Sequence, residues 1–131
     1  INSEGPQFIA KALHGIGGKL LQISTDYVFD GKQNTPYLVN QTLSPINIYG
    51  KTKAKAEVTL SDILVDENQL SILRTSWLMG TTGKNFLLTM LKLHKTRKEL
   101  NVVSDQISCP TSTKTLAEAC WKVIKLKIER I

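Results

Sequence analysis

The strongest constraint on this chain is an alternation between two hydrophobic periods. Residues 5–16 place Ile9, Ala12, Leu13 and Ile16 at i, i+3, i+4 and i+7, which is one face of a helix. Pro6 suits a first-turn position, and Gly15, Gly17 and Gly18 stop the pattern. A short apolar run then covers 19–25 and reads as a buried strand. The same succession returns twice. A helix opening at Ser44-Pro45, with Ser44 as N-cap and Pro45 at N1, runs to about Leu64 and precedes a strand at 69–76. A helix over 85–98 precedes Leu-Asn-Val-Val at 100–103, a third strand. A last helix opens at Thr111-Ser112-Thr113, with Leu116, Ala119, Cys120, Val123 and Ile124 at helical spacing. The order αβ-αβ-αβ-α predicts an α/β fold, a parallel sheet with flanking helices.

Two segments stand out from this frame. The helix from Ser44 has an inner stripe of Tyr49, Thr52, Ala56, Leu60 and Ile63, with small side chains in the middle where a ligand or another backbone can come close. Residues 30–43 have no period, and Asp30-Gly31 opens them as a turn. A stretch of that length inside a compact domain is uncommon and is often functional. The helix over 85–98 carries Phe86, Leu87, Met90, Leu91 and His94 on one broad face.

Composition narrows the classes. A length of 131 residues fits one domain, and 41% hydrophobic with 21% charged residues is not the balance of a disordered chain. No apolar run approaches the roughly 20 residues of a membrane helix. The start Ile1-Asn2-Ser3-Glu4 lacks a basic and apolar leader, so no secretory signal is expected. The missing initiator Met points to a piece of something longer. Cys109 and Cys120 form no framework or zinc spacing with His14 and His94, which predicts reduced thiols, no metal and a cytoplasmic setting. A net charge of +6 permits an anionic partner. The excess lies in Lys92, Lys95, Arg97 and Lys98 and in Lys122, Lys125, Lys127 and Arg130, which read as solvated helix faces. Aromatics at 6% and few arginines exclude a nucleic-acid binder.

Three places look unlike scaffold. Ser24-Thr25-Asp26-Tyr27 ends the first strand, and ligands of open parallel sheets bind outside the carboxyl ends of the strands. Turn chemistry alone also accounts for these residues. Tyr49 and Lys53 lie one turn apart on one helix face. An ammonium beside a phenol favours the phenolate and tunes a proton donor towards neutral pH. A half-buried Tyr beside a surface Lys is the other reading of that pair. Arg74-Thr75-Ser76-Trp77 ends the second strand, where Trp77 offers a flat apolar wall to a sugar or base ring, or caps the core edge.

Taken in this order and spacing, the three segments carry more than any one of them. The chain resembles the dTDP-4-dehydrorhamnose reductase family of extended short-chain dehydrogenase/reductases. The resemblance rests on Ile23-Ser24-Thr25-Asp26-Tyr27-Val28-Phe29-Asp30-Gly31 and on Ser44-Pro45 with Tyr49-Gly50-Lys51-Thr52-Lys53-Ala54-Lys55-Ala56-Glu57. It continues through Arg74-Thr75-Ser76-Trp77, Asn85-Phe86 with Met90-Leu91, Asp105-Gln106 and Pro110-Thr111.

The resemblance implies a Rossmann-like sheet and reduction, with NADPH or NADH, of the 4-keto group of a dTDP-6-deoxy sugar. It makes Tyr49 the proton donor to the C4 oxygen and Lys53 its tuning partner, which also bonds the nicotinamide ribose. It makes Thr25 the third catalytic residue, orienting the substrate carbonyl. Asp26 and Trp77 would line the sugar pocket with Thr25, and Ile23 would pass close to the nicotinamide beside Tyr49 and Lys53. Family members are longer at both ends and carry an upstream Gly-rich turn for the pyrophosphate. Gly15-Ile16-Gly17-Gly18 precedes a strand instead of opening a helix, so residues 1–131 are expected to be a single partial α/β domain holding the catalytic segment. Such a piece exposes sheet edges and favours self-association, with a dTDP-sugar and no nucleic acid or membrane as partner. The alternatives are a non-catalytic or regulatory relative of the same fold and a nucleotide-sugar epimerase or dehydratase.

Overall fold

The computed structural model describes residues 1–66 and 68–126. In chain order it holds α1 (Glu4–His14), β1 (Leu20–Thr25), a 3-10 turn (Asp26–Val28), α2 (Ile48–Ile63), β2 (Leu70–Thr75), β3 (Leu78–Met79), α3 (Phe86–His94), β4 (Thr111–Ser112) and α4 (Thr113–Leu126). Lys127 and Arg130 lie outside the described residues. Among the described residues no helix is long and apolar enough to cross a membrane.

Within the expected single domain, the backbone groups into two compact units. One comprises residues 1–75 with residues 120–126, and the other residues 76–119. In the first unit β1 and β2 pair in parallel, with Ile23 beside Leu73, Ser24 beside Arg74 and Thr25 beside Thr75. Side chains at one level of a parallel pair point to the same face. Leu20, Leu70 and Ile72 therefore share a face, and they pack with Ala10 of α1 and Leu60 and Leu64 at the end of α2. A second cluster, Val28, Phe29 and Ala54 with Tyr37 and Leu43, sits beyond the carboxyl end of β1. In the second unit, β3 and β4 pair in parallel over two residues each.

The sheet and its parallel sense match the expectation, but several details do not. The inner face of α1 is Ala10 with half-buried Leu13, while Ile9 is 54% exposed and Ile16 and Ala12 are also exposed. Ala10 is small enough to let α1 approach α2, and that approach rotates the larger Ile9 outward. α2 starts at Ile48 rather than at Ser44-Pro45. Asn47 is extended and its side chain accepts from the Gly50 N–H at 2.7 Å, which makes it the N-cap. The Ser44 N–H is already committed to the Val28 carbonyl at 2.9 Å. The buried positions of α2 are Gly50, Ala54, Ala56, Glu57 and Leu60, so Ala56 and Leu60 of the expected stripe are inside and Tyr49 is not.

Residues 100–103 form no strand; Val103 is 64% exposed, and β3 pairs with Thr111–Ser112 instead. A strand exists only where a neighbour accepts its ladder, and hydrophobicity alone does not supply one. α3 ends at His94, where Thr96 and Arg97 both turn back to the Leu93 carbonyl at 3.0 and 2.9 Å. Its expected apolar face stays largely open, with no α3 residue fully buried.

Candidate functional site at the end of the first strand

Ile23 and Thr25 alternate with Ser24 along β1, so they share one face and Ser24 takes the other. Thr25 is buried. Its hydroxyl donates to Asp26 Oδ1 at 3.0 Å and accepts from the Tyr27 N–H at 3.2 Å. Thr25 thus caps the 3-10 turn and sits fixed at the strand end. The turn throws Tyr27 towards α2, where its ring meets Tyr49 edge-on with centroids 6.1 Å apart. Gly50 makes that approach possible, because a methyl there would collide with the Tyr27 carbonyl oxygen and press on Pro45.

Lys53 lies one turn further along α2. Its Nζ donates to the Ile23 carbonyl oxygen at 3.0 Å, spanning 30 residues of chain. Ile23, Thr25, Asp26, Tyr49 and Lys53 therefore gather around the carboxyl end of β1. Tyr49 is 46% exposed, and its hydroxyl has no hydrogen-bond partner among the described residues. A phenol held by its ring, with its oxygen open to a ligand, is placed to donate a proton. Beside Thr25, on the same face, Thr75 ends β2 with its Oγ1 buried and unpartnered among the described residues. An unsatisfied buried hydroxyl at a strand end suits a ligand carrying a hydrogen-bonding group.

Trp77 belongs to the second unit. It adopts φ 43°, in the left-handed region that a bulky side chain rarely enters. Its carbonyl accepts from the Thr111 N–H at 3.2 Å, and its ring lies 5.5 Å from Phe86 at a 40° tilt. The Thr111 bond at the start of the β3–β4 pairing and the Phe86 contact flank this strained backbone.

Sequence reasoning did not find Glu57, which is 3% exposed. Its carboxylate takes Arg74 Nε at 3.1 and 3.2 Å and Nη2 at 2.7 Å. Arg74 also donates through Nη1 to the Val39 carbonyl at 2.8 Å and lies 5.1 Å from the Phe29 ring centroid. Phe29 stacks on Tyr37 at 4.3 Å, and the Tyr37 hydroxyl donates to Asp30 Oδ1 at 2.9 Å. The Lys32 backbone N–H on Asp30, with that phenol, holds the Asp30 carboxyl below the usual carboxylate range. The aperiodic segment 30–43 is therefore an ordered loop with its own network. An open groove of about 340 Å³ runs beside this ion pair, lined by Val39, Leu43, Val58, Ser61, Asp62 and Ile72 among others. Neither Tyr49 nor Thr25 lines it. Local spacing gave no sign of Glu57, since its partner is 17 residues away on another element.

A family model described as RmlD substrate binding domain matches residues 1–130. The chain is 48% identical over 126 residues to the spore coat polysaccharide biosynthesis protein SpsK of Bacillus subtilis, covering 96% of this chain and 42% of that protein. It is 39% identical over 125 residues to the dTDP-4-dehydrorhamnose reductase of Sinorhizobium fredii, covering 95% of this chain and 41% of that protein. The fold superposes on the crystal structure of dTDP-4-dehydrorhamnose reductase from Bacillus anthracis in complex with NADP. The TM-score is 0.90 at 39% identity, over 100% of this chain and 47% of that one. The chain thus spans about two fifths of the length of the curated relatives it matches.

Proposed function

The chain belongs to the family of RmlD substrate binding domains, and from that premise we propose that the protein reduces the 4-keto group of a dTDP-6-deoxy sugar, dTDP-4-dehydrorhamnose, using NADPH. The observation that carries the reading is the hydrogen bond from Lys53 Nζ to the Ile23 carbonyl at 3.0 Å, which brings the helix of Tyr49 to the strand that ends in Thr25. A purely structural helix has no need to bury an ammonium stem against a strand carbonyl while leaving the neighbouring phenol open.

The residues suit a nicotinamide cofactor. Ile23 offers an apolar contact, Lys53 a cation for a ribose hydroxyl, and Thr75 a hydroxyl that is unpartnered among the described residues and level with Thr25. When bound, the reduced nicotinamide supplies the hydride that goes to C4. The chain's own residues handle the oxygen. Thr25, anchored by the Tyr27 amide, orients the carbonyl by turning its hydroxyl proton from Asp26 Oδ1 to the carbonyl oxygen. Tyr49 transfers its hydroxyl proton to the C4 oxygen as negative charge builds there, and the Lys53 cation one turn away stabilises the charge left on the phenolate. Asp26, next to Thr25, is the residue of this unit that lines the sugar. With both cysteines unpaired, the reading is of a cytoplasmic enzyme.

The test is steady-state NADPH oxidation by the full-length gene product with dTDP-4-dehydrorhamnose. Substrate-dependent oxidation yielding the 4-hydroxy sugar is expected. A folded protein that binds the nucleotide sugar without turnover would sink the reductase reading in favour of a non-catalytic relative.

A further inference from the structure

Tyr49, Lys53 and Glu57 follow one another at intervals of four along α2, so they form a single stripe facing the sheet side. Two of the three are tied to strands. Lys53 reaches the Ile23 carbonyl of β1. Glu57 accepts the two-pronged guanidinium of Arg74 on β2. Arg74 is level with Ser24, the residue after Ile23, so the two ties reach adjacent strands one step apart. A helix held by one tie can still slide or rotate, whereas two ties at different levels on two strands fix both. Among the described residues the first turn carrying Tyr49 has no such tie of its own, and its phenol is set by the rest of the helix and by the edge-on Tyr27 ring.

We infer that Glu57 and Arg74 are positioning residues for the proton donor, setting the register of α2 over the strand ends and so the reach of Tyr49 and Lys53. The same guanidinium seats the 30–43 loop through the Val39 carbonyl and the Phe29 ring, which couples that loop to the helix. Neither residue touches the reacting atoms. Arg rather than Lys is needed because only a planar fork meets both carboxylate oxygens and still spares an N–H for Val39. The inference rests on the catalytic reading of Tyr49 and Lys53, but its structural half can be read separately.

The test uses the full-length gene product in four forms: unaltered, Tyr49→Phe, Arg74→Lys, and the paired change Glu57→Leu with Arg74→Met. The paired change leaves no buried charge alone, so the fold is expected to hold. Each form is measured for kcat, KM and backbone hydrogen exchange over residues 48–57. The paired change is expected to lower kcat about 10–100-fold with KM little altered, since small misplacement of a catalytic group is costly in rate. Exchange over 48–57 should quicken. Arg74→Lys, which keeps the charge and loses the fork, should fall between. If the paired change fails to fold, Arg74→Lys carries the same test. A folded variant with unaltered kcat and unaltered exchange would overturn the inference. If Tyr49→Phe keeps full activity, the catalytic reading falls instead, and exchange over 48–57 alone decides whether the pair sets the helix.

Discussion

The two units hold their shape by different means. In the first, β1 and β2 pair over six residues each, and apolar side chains from α1, α2 and both strands close on Leu60, Leu64 and Leu70, all nearly or fully buried. A buried carboxylate and a partly buried guanidinium add a long-range tie. In the second, the strands are two residues long, α3 buries nothing fully, and order comes from local capping by Asn85 and from the Trp77–Thr111 contact. Segments with few buried apolar contacts open at lower free-energy cost. Tyr49 and Lys53, the residues proposed for proton donation, sit in the well-buried unit, where geometry can be held tightly. Trp77 sits in the unit held by local contacts.

The sharpest break in that comparison would come at Tyr49. Tyr49→Phe keeps the ring against Tyr27 and removes only the hydroxyl. In the full-length gene product kcat should drop about 10²–10⁴-fold with KM little changed, as read by steady-state NADPH oxidation. A near-normal kcat would show that the rigid unit supplies scaffold and not chemistry.

Core truncation should separate the units next. Leu60→Ala empties a fully buried site and should cost about 2–5 kcal/mol in urea denaturation. Leu91→Ala, at a position 53% exposed, should stay within about 0.5 kcal/mol. Equal losses would mean that the face of α3 is buried in the working protein.

A smaller effect is expected at Asn85. Its Oδ1 accepts from the Leu88 N–H at 3.0 Å and its Nδ2 donates to the Gly80 carbonyl at 2.8 Å. Asn85→Ala should weaken α3 by about 1 kcal/mol, seen as faster amide exchange confined to residues 86–94. Spread of that change to β1 and β2 would refute the separation.

The smallest effect is a pH dependence in the 30–43 loop. The folded-state carboxyl of Asp30 lies below its ordinary value of 3.8, because the Lys32 amide and the Tyr37 phenol bond its charged form. A depressed carboxyl contributes stability that is present above that ordinary value and is lost as pH falls through the lower folded value. Exchange protection at Lys32 should therefore decline in the acid range below about 3.8, and Asp30→Asn should remove the dependence. Protection that stays flat through that window would show that the loop does not rely on Asp30.

What the sequence by itself determined is what short-range chemistry determines. Short apolar runs, the first of them following Gly17-Gly18, placed β1 and β2 to within a residue, and the four-residue spacing put Tyr49 and Lys53 on one helix face, because periodicity is a property of the local backbone. The polar residues at the two strand ends were legible for the same reason. Tertiary structure decided the rest. Which face of α1 turns inward depended on what packs there, and small Ala10 won over Ile9. Asn47 rather than Ser44 capped α2, because its side-chain oxygen meets the Gly50 amide, while the backbone at Ser44 is bonded to Val28 outside the helix. Residues 100–103 had the composition of a strand but no neighbour to accept their hydrogen bonds, and Thr111–Ser112 took that place. Glu57 was invisible as a tie until β2 brought Arg74 within 2.7 Å of it, since an ion pair between distant elements leaves no period in the chain that forms it.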